Sequence, residues 1–217
     1  MFGLTTPCVD AARAALESLA YDPLTFHATG AGGRAMENLV RSGMIGGVID
    51  VTTTEVADHL MGGVFPCSED RFESQIESGV PCVMSLGALD MVNFGALATV
   101  PERYRGRNLY VHNDQITLMR TTPEENRRMG LWIGGKLARW RTPVAMLIPE
   151  RGLSGLDVPG GAFHDPEADA ALFEAIEAAA ADNPACRIRR LPLHINDPSF
   201  AKALVDEFLD LAARARG

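Results

Sequence analysis

Residues 26 to 40, FHATGAGGRAMENLV, set Thr29, Gly30, Gly32, Gly33 and Arg34 where an apolar run meets a helical pattern. Glycine lets backbone amides come close to a ligand, and a helix N-terminus offers unpaired N–H groups with a partial positive charge. Such a junction can cradle a phosphate. It can equally do no more than turn a corner. The spelling departs from the dinucleotide fingerprint and lacks the lysine of a P-loop, so the motif alone does not decide. Arg34 and, further on, Arg151 can each fork onto a carboxylate or phosphate, or pair with surface acids instead.

Other groups of the same character recur. DVTTTEVAD carries Thr52, Thr53 and Thr54, and SLGALDMVNFG carries Ser85 and Gly87, all suited to donating hydrogen bonds to an anion or approaching it closely. Ser85 is not the serine of a G-x-S-x-G elbow, because Val83 and Met84 precede it. Asp50 and Asp90 are the candidates to approach a magnesium ion bridging phosphates, with Glu55 and Asp157 as further carboxylates. His112 and His194 belong to the type that transfers protons near neutral pH, although a histidine at a strand end more often only hydrogen-bonds.

These residues acquire meaning from the elements that carry them. Strands are expected over Phe2–Thr5, Pro23–Ala28, Ile45–Val51, Pro81–Leu86, Asn108–His112, Val144–Ile148 and Ile188–His194, several of them continuously apolar as doubly buried strands should be. Thr6-Pro7, Thr122-Pro123, Asp165-Pro166 and Asp197-Pro198 each place a capping side chain before a proline, which marks a helix start. Alternation of this kind predicts an α/β protein with an open, mainly parallel, doubly wound and Rossmann-like sheet of about seven strands, helices covering both faces. Ligands of such sheets bind beyond the carboxyl ends of the strands, where nearly all the residues named above fall. Helix capping accounts for some of them. A polar small-ligand site accounts better for three consecutive threonines, two histidines and two arginines on one rim.

The composition excludes several classes. The 217 residues carry a net charge of −8 with arginines scattered among acids, which argues against a nucleic-acid surface. The N-terminus lacks the pattern of a signal peptide, and no apolar run reaches membrane-spanning length. Four dispersed cysteines without a C-x-x-C pair suit reduced, buried thiols, so a cytoplasmic location is expected.

FGLTTPCV, FHATGAGGRAMENLV, GVIDVTTTEVADHLMGGV, HNDQITLMRTTPEEN, the run IPERGLSGLD with GGAFHDPEADAALFEAI, and HINDPSFAKAL together resemble the second half of the Tm-one-like ATP-binding proteins, the tomato mosaic virus resistance protein family. The resemblance runs in order over almost the whole chain. It implies that residues 1–217 form one α/β domain of a two-domain protein and that ATP is a candidate cofactor; the plant member of the family self-associates. Three functions follow as expectations. The first is a nucleotide- or phosphoanion-binding domain, ATP and magnesium being its candidate cofactors, acting with a separate N-terminal domain or subunit. The second is an enzyme on a small carboxylate or carbonyl metabolite, with His112 or His194 moving a proton. The third is an assembly subunit without its own chemistry. A homo-oligomer is expected too, with VNFGALATVPERY, and Phe94 and Leu97 in it, on the associating surface.

Overall fold

The structure, a computed structural model, describes residues 1–216. The chain opens with a 3-10 turn (Gly3–Thr5) and helix α1 (Thr6–Ser18), then α2 (Ala31–Arg41), β1 (Val48–Thr52), α3 (Glu55–Met61), α4 (Glu73–Ser78), β2 (Cys82–Gly87), β3 (Met91–Phe94), β4 (Leu109–Asn113), β5 (Ile116–Arg120), α5 (Pro123–Leu137), β6 (Val144–Pro149), α6 (Pro166–Ala180), β7 (Cys186–Leu191) and α7 (Pro198–Arg216).

The strands form two sheets rather than one. Strands β1, β2, β6 and β7 lie side by side in that order, all parallel. Strands β3, β5 and β4 make a small antiparallel sheet. Alternate residues of the main sheet feed opposite cores. Val83, Ala145 and Leu147 meet Leu16, Phe200, Leu204 and Phe208 from α1 and α7, while Cys82, Met84, Val144 and Met146 meet Met129, Ile133, Leu172 and Ile176 from α5 and α6. Burial on both faces is what makes these strands read as unbroken apolar runs.

The expected seven-stranded sheet is thus corrected to four strands plus three. The stretch at 108–112 does form a strand, but it is β4 of the second sheet. Phe2–Thr5 holds the 3-10 turn, and Pro23–Ala28 has no regular structure. Strands β3 and β5 were not expected. The turn joining β4 to β5 contains no glycine to signal a hairpin. Asn113 closes it instead, its Oδ1 accepting from the amides of Gln115 and Ile116, each at 2.9 Å.

The proline-marked helix starts hold with one shift. Thr122 forms a complete capping box with Glu125, Asp165 caps Ala168, and the Ser199 amide donates to Asp197. Thr6 is already the first residue of α1, with Thr5 as its cap position. Helices α5 and α6 pack unusually closely: a Cβ on Gly130 or Gly134 would meet Ala175 or Ala179 Cβ at 2.6 Å. At the far margin of the main sheet, β7 carries Arg187 and Arg189, both bound to Glu207 at 2.9 Å, and Arg190, bound to Glu177 at 2.7 Å. Phe94 is buried against Tyr104 and only Leu97 of the expected associating pair is exposed. Among the described residues, no helix is long and apolar enough to cross a membrane.

Candidate functional site

Past the ends of β4 and β5, and beside the glycine loop, lies a pocket of about 260 Å³. Phe2, Leu4, Ile116 and Leu118 give it an apolar lining, while His27, Thr29, His112 and Asn113 bring polar groups to it. Among the described residues, no hydrogen bond engages the side chains of His27, Thr29 or His112, and Asn113 keeps its amide N–H groups free because only its oxygen holds the turn. Several side chains with uncommitted hydrogen-bonding groups therefore line a small concave surface. That arrangement can receive an oxyanion.

The glycine loop itself is committed differently. Gly30 sits at φ +59°, and its amide donates to Glu55 Oε2 at 2.8 Å. A Cβ at Gly33 would lie 2.6 Å from Glu55 Oε1. The carboxylate of Glu55 thus takes the position at the start of α2 that a bound anion would otherwise hold. Glu55 Oε1 also accepts from Arg71 Nε at 2.6 Å. The same guanidinium reaches Asp50 at 2.6 Å and Glu37 at 3.1 Å, and every one of these side chains is less than one-tenth exposed. Burial pushes the Glu37 carboxyl up, against the pull of Arg71. One cation therefore ties together three carboxylates from α2, α3 and β1.

A second buried group lies under the loop that follows β6. Asp90 Oδ2 accepts from Ser154 Oγ at 2.7 Å, and Arg120 binds Asp169 at 2.6 Å. Burial, reinforced by the charge of Asp157, pushes Asp90 up to about 7. Burial also raises Asp169 against the pull of Arg120, and the charge of Asp157 raises it further. Asp157 Oδ1 has no hydrogen-bond donor among the described residues, with His164 Nδ1 at 3.7 Å. The sign of the consequence is clear. The folded state keeps protons that the unfolded chain releases from about pH 4 upward, so stability falls as pH rises toward 7 and beyond. Between pH 5 and pH 8 the loss should reach at least about 2 kcal/mol, lowering the melting temperature by roughly 5 °C. Calorimetry across that range measures it; a flat or rising profile, or one that Asp169→Asn leaves unchanged, contradicts the proton-holding cluster.

Of the remaining expected residues, the threonines and Ser85 face inward. Thr52 bonds Thr5 at 2.7 Å, Thr53 donates to the Ser85 carbonyl, Thr54 accepts from Asn93, and Ser85 donates to the Leu147 carbonyl. All four are buried. Gly87 lies against the Val51 carbonyl at 2.5 Å from where its Cβ would be. Asp50 and Asp90 belong to the two separate clusters above. His194 uses both ring nitrogens, toward the Ser154 carbonyl and the Asn196 amide. Arg34 and Arg151 are exposed. Among the described residues, no three His, Cys, Asp or Glu side chains are grouped to hold a metal ion; in the Arg71 cluster a guanidinium occupies the centre. The structure thus joins Thr29 to His112 at the pocket. His27 and Asn113 complete it, and neither was singled out from the sequence, although His27 stands two residues before Thr29 in the glycine stretch.

The family model described as the uncharacterised protein family (UPF0261) C-terminal domain matches residues 1–212. The chain is 60% identical to a UPF0261 protein of Mesorhizobium japonicum over 212 residues, 98% of this chain and 53% of that one. It is 49% identical over 216 residues to the ToMV resistance protein Tm-1 of Solanum lycopersicum, covering 100% of this chain and 29% of the tomato protein. A UPF0261 protein of Clostridium tetani is 46% identical over 97% of this chain and 52% of its own length. The chain spans about half the length of these bacterial relatives.

Proposed function

The chain belongs to the UPF0261 family, as the carboxyl-terminal domain of its members, and from that premise we propose that it binds a phosphate group or a similar small oxyanion beside the glycine loop. The observation that carries this reading is the convergence of uncommitted hydrogen-bonding groups of His27, Thr29, His112 and Asn113 on one pocket.

Size narrows the ligand. A pocket of about 260 Å³ lies below the roughly 300–1,000 Å³ that a drug-sized ligand fills. It takes the phosphates of a nucleotide such as ATP, not the whole molecule. The nucleoside would rest on surface supplied by the amino-terminal half that the longer relatives carry, which makes the domain half of a composite site. The carboxylates of Asp50 and Asp90 are buried and committed to Arg71 and Ser154. A magnesium ion carried in with the nucleotide would therefore keep its own waters.

Titration calorimetry with inorganic phosphate and with magnesium-ATP tests the reading. Millimolar or tighter binding is expected, and His27→Ala with His112→Ala should weaken it at least about tenfold, as loss of hydrogen bonds to a charged group does. No binding of either anion, or affinity untouched by the double substitution, would overturn it. Binding of a small carboxylate in place of phosphate would favour instead an enzyme in which His112 moves the proton.

A further inference from the structure

Strand β1 is an edge strand, hydrogen-bonded to β2 alone. Alternate residues of a parallel strand bond to opposite sides. Because the Val48 amide donates to the Pro81 carbonyl beside β2, the N–H and C=O of Ile49 point away from the sheet. They face a groove of about 650 Å³. Across it runs the segment 22–26, in which, among the described residues, only the Phe26 carbonyl takes part in a hydrogen bond. Two walls of unpaired backbone thus confront each other across an empty width. The groove is apolar above and below: Leu16 and Phe208 come from the core on one face of the sheet, Met36 from the core on the other. At its rim Leu24 is 61% and Met44 75% exposed.

Met1 shows how the gap is filled. Its amino group donates to the Phe26 carbonyl at 2.6 Å, and its carbonyl accepts from the Ala28 amide at 2.8 Å. One residue straddling another through this pair of bonds is the signature of a parallel ladder, here Met1 against His27. Just beyond, Thr5 bonds Thr52 at the carboxyl end of β1. Polypeptide leading into Met1 from the groove would accordingly run alongside both walls, parallel to β1.

We infer that the groove is the berth of a further β-strand, inserted between β1 and residues 22–27, and that its occupant is the segment preceding the counterpart of Met1 in the longer relatives. That segment should be apolar on both faces, as a central parallel strand requires. It would extend the main sheet on the β1 side and turn 22–27 into its new edge. The amino group of Met1 would become an ordinary peptide link, and the desolvation that now lowers its pKa would end.

The test is a chain lengthened by the eight residues that precede this position in the Mesorhizobium japonicum protein, compared with the same extension carrying prolines at alternate positions, which cannot complete the ladder. The intact extension should raise the melting temperature by about 5–10 °C. It should also slow hydrogen exchange at Ile49, Leu24 and Phe26 by at least about a hundredfold, since those amides would pass from open to paired. Unchanged exchange at these amides, or an equal gain from the proline-broken extension, would overturn the inference. So would a dimer of the original chain in which the three amides are already protected, because a second copy would then be the occupant.

Discussion

Arg71→Met should leave the protein unfolded, or less stable by at least about 3–5 kcal/mol, the usual result of stripping the partner from buried charge. The Arg71 nitrogens hold Glu55, Glu37 and Asp50 individually. Methionine fills much of the same volume but leaves three carboxylates in an interior where only protonation can relieve them. The loss should therefore shrink in acid, so the variant should recover more of its parent's stability at pH 4.5 than at pH 8. Arg71→Lys should fall between the two, because a single ammonium cannot reach three carboxylates spread around a planar fork. Urea denaturation of the three proteins at the two pH values measures this. Equal midpoints for parent and Arg71→Met would show that the cluster contributes nothing net.

Gly32→Ala should cost about 3 kcal/mol or more, the upper range of overpacking. A Cβ there would overlap the His27 carbonyl oxygen and approach the His27 carbonyl carbon to 3.0 Å and its nitrogen to 3.1 Å. All three are backbone atoms, so the start of α2 must move as a whole. Gly135, in the exposed part of α5 with nothing near its Cβ position, is the control: alanine there should stabilise by roughly 0.5–1 kcal/mol. Thermal melts of the two variants should move in opposite directions. A Gly32→Ala protein as stable as its parent would mean that the loop can shift freely, and the close packing of its backbone would lose its significance. The glycines are thus explained first by the corner they turn, with the anion taken beside them rather than within them.

Much of the scaffold was legible because apolar runs and proline-marked caps are local signals. Strands β1, β2, β6 and β7 and the caps at Thr122, Asp165 and Asp197 fall within a few residues of their expected places. The failures are non-local. Pro23–Ala28 has the composition of a strand but lacks a neighbour on the β1 side, and without a partner an extended segment is not a strand. Thr52, Thr53, Thr54 and Ser85 were rightly placed at strand ends, yet their hydroxyls turn inward to other strands and to carbonyls, a choice that residue type does not reveal. Arg71 sits in SEDRFESQ, which reads as a solvated charged turn. Nothing nearby in the sequence announces that Asp50 and Glu37, 21 and 34 residues away, close around it. Asp169 is hidden in the same way, as an ordinary acid in the first turn of α6.

The arginines along β7 have a consequence for how molecules meet in concentrated solution. Bare sheet margins template edge-to-edge pairing, and charged side chains are a common guard against it. Arg187, Arg189 and Arg190 stand on the β7 margin, while the β1 margin opposes only Ile49 and its apolar surroundings to an incoming strand. In the main sheet, then, each molecule has one adhesive margin and one repellent margin. Polymers that grow by strand addition need two adhesive ends per unit, one to receive and one to offer. With at most one such end, this sheet cannot template an open-ended polymer.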